Sequence, residues 1–237
     1  MARLPRLVVA GLPHVVVHRG VNGQPALLDD ADRASYLQAL TGAAREAGLL
    51  VHGYGLYATE VRLLATPLTA PALGRAMQAV GRRYVRAFNL RHHRTGTPWE
   101  GRFRSTIIEP SAHFIEALRF VEGCDEDGTA LASGADGSGW SSAAHHLGLR
   151  SDGLVNEHKA FWALGNTPFE REAAYRQLLT QPVPVGLRQA LRDAALKGWA
   201  RGSEAFVEGL RADTSRRPAP LRRGRPSRQT ADAAAGE

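Results

Sequence analysis

Cysteine, lysine and long apolar runs are what this 237-residue chain has least of. Its single cysteine, Cys124, excludes an internal disulfide framework and any cysteine-rich zinc site. No apolar run approaches the roughly 20 residues of a membrane span. The run "LVVAGLPHVVV" near the N-terminus is too short, and it lacks the architecture of a secretory signal. The expected location is therefore the cytoplasm. Lysine occurs only at Lys159 and Lys197, so nearly all the positive charge is arginine. The formal net charge is +7 and the pI about 10.3, which points to a polyanionic partner. At 43% hydrophobic residues, the chain has enough apolar material for a core.

The positive charge is clustered. One group comprises Arg75, Arg82, Arg83, Arg86, Arg91, Arg94, Arg102 and Arg104, opposed only by Glu100; a second runs from Arg211 to Arg228. The first sits on the most strongly patterned segment of the chain, "APALGRAMQAVGRRYVRAFNLR". There Leu73, Met77, Val80, Tyr84 and Phe88 fall in a narrow arc at ~100° per residue, with Arg75, Arg82 and Arg86 opposite. An arginine face continued by Arg91, Arg94, Arg102 and Arg104 suits a phosphate track. Trp99 and Phe103, interleaved with these cations, are placed either in the core or against bases.

"PHVVVHRG" reads as a first strand. "DDADRASYLQALTGAAREAG" reads as a helix capped by Asp29 or Asp30, buried through Tyr36, Leu37 and Leu40, and ended by Gly48. "LLVHGYGLY" and "EVRLLAT" are two strands joined by a tight turn. The arginine-faced helix follows. "RFRSTIIEP" is a fourth strand, and Ser111 opens a helix with Phe114, Ala117, Leu118 and Val121 on its core stripe. The order β-α-β-β-α-β is the α+β, ferredoxin-like split βαβ arrangement, an antiparallel sheet with its helices on one face. The expected division is residues 1–124 for this domain, 125–153 for a flexible acidic loop and a Trp-Ser-Ser segment, 154–210 for a helical extension, and 211–237 for a basic, disordered tail. His14, His18 and His52 read as hydrogen-bonded sheet histidines. The His92–His93 pair reads as facing solvent or phosphate.

On the third strand, Glu60, Arg62 and Leu64 share one face, and Val61, Leu63 and Ala65 the other. The face carrying Glu then Arg is either a salt-bridged surface or a site.

The motifs "GTPWEGRFRSTIIE", "WSSAAHHLG", "KGWARGSEAFVEGL" and "RRGRP", in this order and spacing, resemble the REP-associated tyrosine transposases and related small insertion-sequence transposases. These are single-stranded-DNA nucleases of the HUH class. The resemblance implies a third strand that carries His-hydrophobic-His and holds Mg²⁺ or Mn²⁺, which polarises the scissile phosphate. It also implies a tyrosine on the following helix that forms a covalent phosphotyrosine. Carried over residue by residue, the metal positions are Glu60, Arg62 and Cys124, and the nucleophile position is Phe120. Phenylalanine offers no oxygen, and guanidinium offers no lone pair.

The resulting expectation is a DNA-binding protein of transposase lineage without strand cleavage and without a metal cofactor. Its partner is a hairpin or imperfect palindrome with a single-stranded flank. Arg19 and Arg62 join the helix arginines as expected phosphate contacts. Arg222, Arg223 and Arg225 join them from the tail, where Arg-Gly-Arg-Pro is the core of an AT-hook. Cleavage through relocated groups, with Tyr54, Tyr57 and Tyr84 nearby, is a second reading. RNA binding is a third, since the split βαβ sheet also serves RNA-binding modules. No Gly-Phe-aromatic run on the predicted strands supports it.

Overall fold

A computed structural model describes residues 6–123, 139–214 and 216–220. Four strands form one sheet: β1 (His14–Arg19), β2 (Leu49–Leu56), β3 (Glu60–Pro67) and β4 (Arg104–Ile107). Their order is β2-β3-β1-β4 and every pairing is antiparallel. Helices α1 (Asp30–Ala47) and α2 (Ala72–Arg91) connect the strands on one face, and α3 (Pro110–Glu122) follows β4. This is the expected split βαβ sheet.

Helix α1 starts where the Asp29 side chain accepts from the Asp32 N–H at 3.0 Å, satisfying one orphan donor. It stops at Gly48, whose φ of 74° lets its N–H close onto the Ala44 carbonyl. All five residues of the predicted α2 arc are buried, as are Tyr36 and Leu40 of α1. Val61, Leu63 and Ala65 of β3 pack with them in one core.

The opposite sheet face is also covered, by α3 and the C-terminal extension. Here α6 (Pro168–Thr180), α7 (Val185–Lys197) and α8 (Glu204–Asp213) follow two short helices, α4 (Ala143–His146) and α5 (Lys159–Trp162). Tyr175, Leu191 and Ala195 of the extension share a second core with Val15, Val17, Leu64 and Phe120. Every residue of β3 is therefore buried, and the sheet is a middle layer rather than a one-sided one. This second cover also explains α3. Residues 117–122 are buried all round, because both sides of the helix have something to pack against.

Three local expectations change. Ser111 does not cap α3; Pro110 is its first residue, at the position where its missing N–H costs nothing. Helix α8 runs to Asp213, past the expected start of the tail. The Trp-Ser-Ser segment pairs with the β2 edge: Leu56 N–H donates to the Trp140 carbonyl at 2.9 Å and Ser142 N–H to the Tyr54 carbonyl at 3.0 Å. Cys124, the acidic stretch after it, and Arg222, Arg223 and Arg225 lie outside the described residues. Among the described residues no helix is long and apolar enough to cross a membrane.

Candidate functional site

Strand alternation puts Glu60 and Arg62 on the face under α3, and antiparallel register sets Val17 beside Arg62. Arg62 is fully buried. Its Nε donates to Glu60 Oε1 at 2.5 Å and its Nη1 to the Phe120 carbonyl at 2.9 Å. A longer contact of 3.3 Å reaches the Tyr57 hydroxyl. The guanidinium carbon lies 4.2 Å from the Tyr57 ring centre and 4.4 Å from that of Phe120. Both approaches are within cation–π range. Glu60 receives a second cation from the extension: Arg192 of α7 donates to the same Oε1 at 2.9 Å. One carboxylate thus holds two arginines, one from β3 and one from a helix folded back over the sheet.

The sequence question is answered by position. Phe120, Glu60 and Arg62 do meet across the sheet face. They meet in a closed interior rather than an open cleft, so Arg62 is not a surface cation and does not present a phosphate contact. Nor do these residues fit a divalent metal. The Arg62 guanidinium fills the space beside Glu60 with fixed positive charge and no lone pair. Among the described residues, no three His, Cys, Asp or Glu side chains converge as a metal site.

The alternative tyrosines are engaged elsewhere. Tyr54 donates to Asp152 at 2.7 Å, and burial together with that carboxylate raises its pKa. Tyr57 donates to the Val121 carbonyl at 3.0 Å. Tyr84 donates to the Ala26 carbonyl at 2.5 Å and is also shifted upward by burial. All three are buried hydrogen-bond donors and poor nucleophiles.

Beside this cluster lies a second buried polar group that sequence reasoning missed. Glu122 ends α3 fully buried. It accepts from Tyr175 of α6 at 2.6 Å, from His146 Nδ1 at 2.8 Å and from the Ser142 hydroxyl. Burial alone would lower the His146 pKa, but the charge and hydrogen bond of Glu122 outweigh it and the pKa is raised. The group ties α3 to the Trp-Ser-Ser segment and the extension. Its only sequence trace is that "WSSAAHH" carries polar residues in a segment that resumes order.

The expected DNA contacts divide by environment. Arg75, Arg82, Arg86, Arg94, Arg102 and Arg104 are exposed, and Arg19 is half-buried. Arg83 is bound to Glu46 at 2.7 Å, and Arg91 to Asp29 and Asp32. Arg91 holds the Asp29 carboxyl down to about 2. His92 donates toward Asp32 at 2.9 Å, so it is part of this ion-paired junction between α1 and α2 rather than a free phosphate contact. Trp99 and Phe103 are buried. Trp99 stacks on His18 with ring centres 4.2 Å apart. His14, His18 and His52 are buried in the sheet, and desolvation lowers each to about 4 despite a backbone hydrogen bond.

The strand order and connectivity define a ferredoxin-like α+β domain with a helical extension. A REP-associated tyrosine transposase bound to a REP hairpin has the same fold: the TM-score is 0.50 at 10% identity, covering 67% of this chain and 99% of that one. A candidate transposase from Deinococcus radiodurans is also similar at 21% identity, over 48% of this chain and 89% of that one. Its TM-score of 0.36 is too low to bear on the fold. The chain matches no protein-family model and no curated protein.

Proposed function

We propose that this protein belongs to the lineage of the REP-associated tyrosine transposases and binds DNA without cutting it. The observation that carries the reading is the position of Arg62. It lies against Phe120 at the place where the lineage's resemblance puts a metal and a tyrosine, and it is paired with Glu60 beneath α7. Strand cleavage there needs an oxygen nucleophile and a cation to polarise the phosphate. Neither residue supplies one. What supports DNA as the partner is the exposed arginine face of α2. Among the described residues Arg75, Arg82 and Arg86 have no acidic partner, unlike Arg83 and Arg91. The solved relative with the same fold holds a REP hairpin, which makes a hairpin the first ligand to try.

The test uses a labelled DNA hairpin with a single-stranded flank, run on native and denaturing gels with and without Mn²⁺. A retarded band on the native gel without metal, and no shifted band on the denaturing gel, is the expected result. A covalent adduct would establish cleavage chemistry. Absence of retardation at low salt would remove DNA as the partner.

A further inference from the structure

One groove of the molecule is apolar within and cationic at its mouth. It lies between α2 and residues 97–103 and measures about 430 Å³, which is within the range of small-molecule sites. Met77 and Val85 line it from α2, and Trp99 and Phe103 from the segment opposite. His18 stacks on Trp99 with ring centres 4.2 Å apart. Three cations, Arg6, Arg82 and Arg102, also line the groove. Arg82 and Arg102 are exposed, which puts their charge at the mouth rather than the floor. Among the described residues no carboxylate lines the groove, and none of these three arginines has an acidic partner. Arg83 and Arg91, on the same helix as Arg82, are both ion-paired.

Three features of the groove go unused by the fold. Burial, then the charges of Arg102 and Arg104, lower the Arg6 pKa to about 10. Like charge is therefore unrelieved there, and an anion would relieve it. The aromatic wall carries the second feature. His18 is only 8% exposed and Trp99 3%, yet His18 Nδ1 and Trp99 Nε1 have no hydrogen-bond partner. Buried polar atoms are nearly always paired. His18 Nε2 meets the Gly101 carbonyl at 3.4 Å and so carries the ring proton, which leaves Nδ1 as an acceptor. Trp99 Nε1 can only donate. The third feature is the α2 wall, which includes Gly74 and Gly81; a Cβ at either would meet nothing within 4 Å. Alanine would fit both positions and favour the helix. Glycine leaves bare backbone there, so a flat ring can lie close.

We infer that this groove is a regulatory site for a small aromatic carboxylate: the ring enters between α2 and Trp99, the carboxylate takes the arginines, and occupancy weakens DNA binding. Aromatic walls and a glycine-backed face favour a planar ring over a bulky aliphatic one. A guanidinium fork pairs with a carboxylate through two parallel hydrogen bonds. Arg82 and Arg102 are also expected phosphate contacts, so ligand and DNA draw on the same two cations. The site itself stands without the DNA-binding reading; its control of DNA rests on that reading.

The experiment is isothermal titration calorimetry of the full chain with three probes: 1-naphthylacetate, its neutral amide, and cyclohexylacetate. Wild type is expected to bind 1-naphthylacetate about ten-fold more tightly than the amide, which lacks the charge. Cyclohexylacetate, which lacks the flat ring, is expected to bind more weakly than 1-naphthylacetate. Arg102→Ala is expected to bring the acid down toward the amide. Gly81→Leu fills the groove and is expected to abolish binding with the melting temperature retained; Gly74→Leu does the same from the other end if Gly81→Leu fails to fold. Hairpin titrations with saturating 1-naphthylacetate are then expected to show weaker DNA binding by wild type and no change for Gly81→Leu. No heat with any probe, equal affinity for acid and amide, or binding that survives both leucine variants overturns the site. Ligand binding that leaves hairpin affinity unchanged overturns its control of DNA. A hairpin that fails to bind even without ligand overturns the DNA-binding reading, while the calorimetry still decides the site.

Discussion

Arg62 donates a 2.9 Å hydrogen bond to the carbonyl of Phe120 while its guanidinium lies 4.4 Å from the Phe120 ring. One side chain thus satisfies a carbonyl near the end of α3, contacts an aromatic face and neutralises Glu60. A buried arginine is costly unless its donors are used. Here the donors are aimed at Glu60, a helix carbonyl and a tyrosine hydroxyl.

Removing that cation leaves Glu60 buried with Arg192 as its remaining partner. Arg62→Met is expected to destabilise the protein by about 3 kcal/mol, the lower end for a broken buried pair, because Arg192 still neutralises the carboxylate. Glu60→Gln in the same background should recover part of the loss, since an uncharged amide needs no counter-ion. Urea unfolding of the two single variants and the double variant measures the coupling. Additive losses would mean that the two side chains do not stabilise one another.

Phe120→Tyr puts a hydroxyl at the position that the resemblance to the tyrosine transposases assigns to a nucleophile. It is expected to give no covalent DNA adduct with Mn²⁺, because the site stays closed by α7 and, among the described residues, no ligand set gathers a metal beside it. Burying the new hydroxyl in an apolar core should cost about 1–3 kcal/mol, visible as a lower urea midpoint. An adduct on a denaturing gel would show that the missing oxygen alone separates this chain from cleavage.

Acid should weaken the fold before most carboxylates titrate. His14, His18 and His52 titrate near 4 in the fold, against about 6.5 in the unfolded chain. The unfolded state therefore binds protons more readily, and stability falls as pH falls. The contribution is complete above pH 6.5 and erodes below it, by about 2 kcal/mol per histidine at pH 5. His146 acts in the opposite sense. Its pKa is raised beside Glu122, so its contribution is present below 6.5 and is lost as pH rises through the folded value. Urea midpoints at pH 7.5, 6.5, 5.5 and 5.0 test the net slope, and His52→Gln should flatten it. A midpoint unchanged down to pH 5 would contradict the buried, neutral state of the three.

The sheet, its order and both crossover helices were legible because each carries a local signal. Alternation marks β3, a narrow apolar arc marks α2, and an Asp cap and a Gly stop mark α1. Phe120 was legible as a position only through the resemblance of the surrounding motifs, and the pattern of α3 alone placed it off the core stripe. Its burial depends on α6 and α7 returning from more than fifty residues away, and no local pattern encodes that return. The same non-local packing hid Arg192, which reads as one more surface arginine on an amphipathic helix. The sequence leaves Glu60 and Arg62 open between a salt-bridged surface and a site, because a strand face is open or covered according to what folds onto it.

The division among the α2 arginines gives a prediction that separates phosphate contacts from structural ion pairs. Each lysine or arginine that neutralises a phosphate releases counter-ions, so its loss lowers the slope of log K against log salt by about 1. Arg75→Ala, Arg82→Ala and Arg86→Ala are each expected to show this on a DNA hairpin, with similar losses on unrelated hairpin sequences. Arg83→Ala and Arg91→Ala should change the slope less, because in the free protein these cations already neutralise Glu46, Asp29 and Asp32. Arg91→Ala should instead lower stability, since it uncouples α1 from α2 at their shared end. Anisotropy titrations from 50 to 300 mM salt (approximate limits chosen to span the steep range) measure every variant on one scale. Equal slopes for all five variants would mean that DNA does not follow the exposed side of α2.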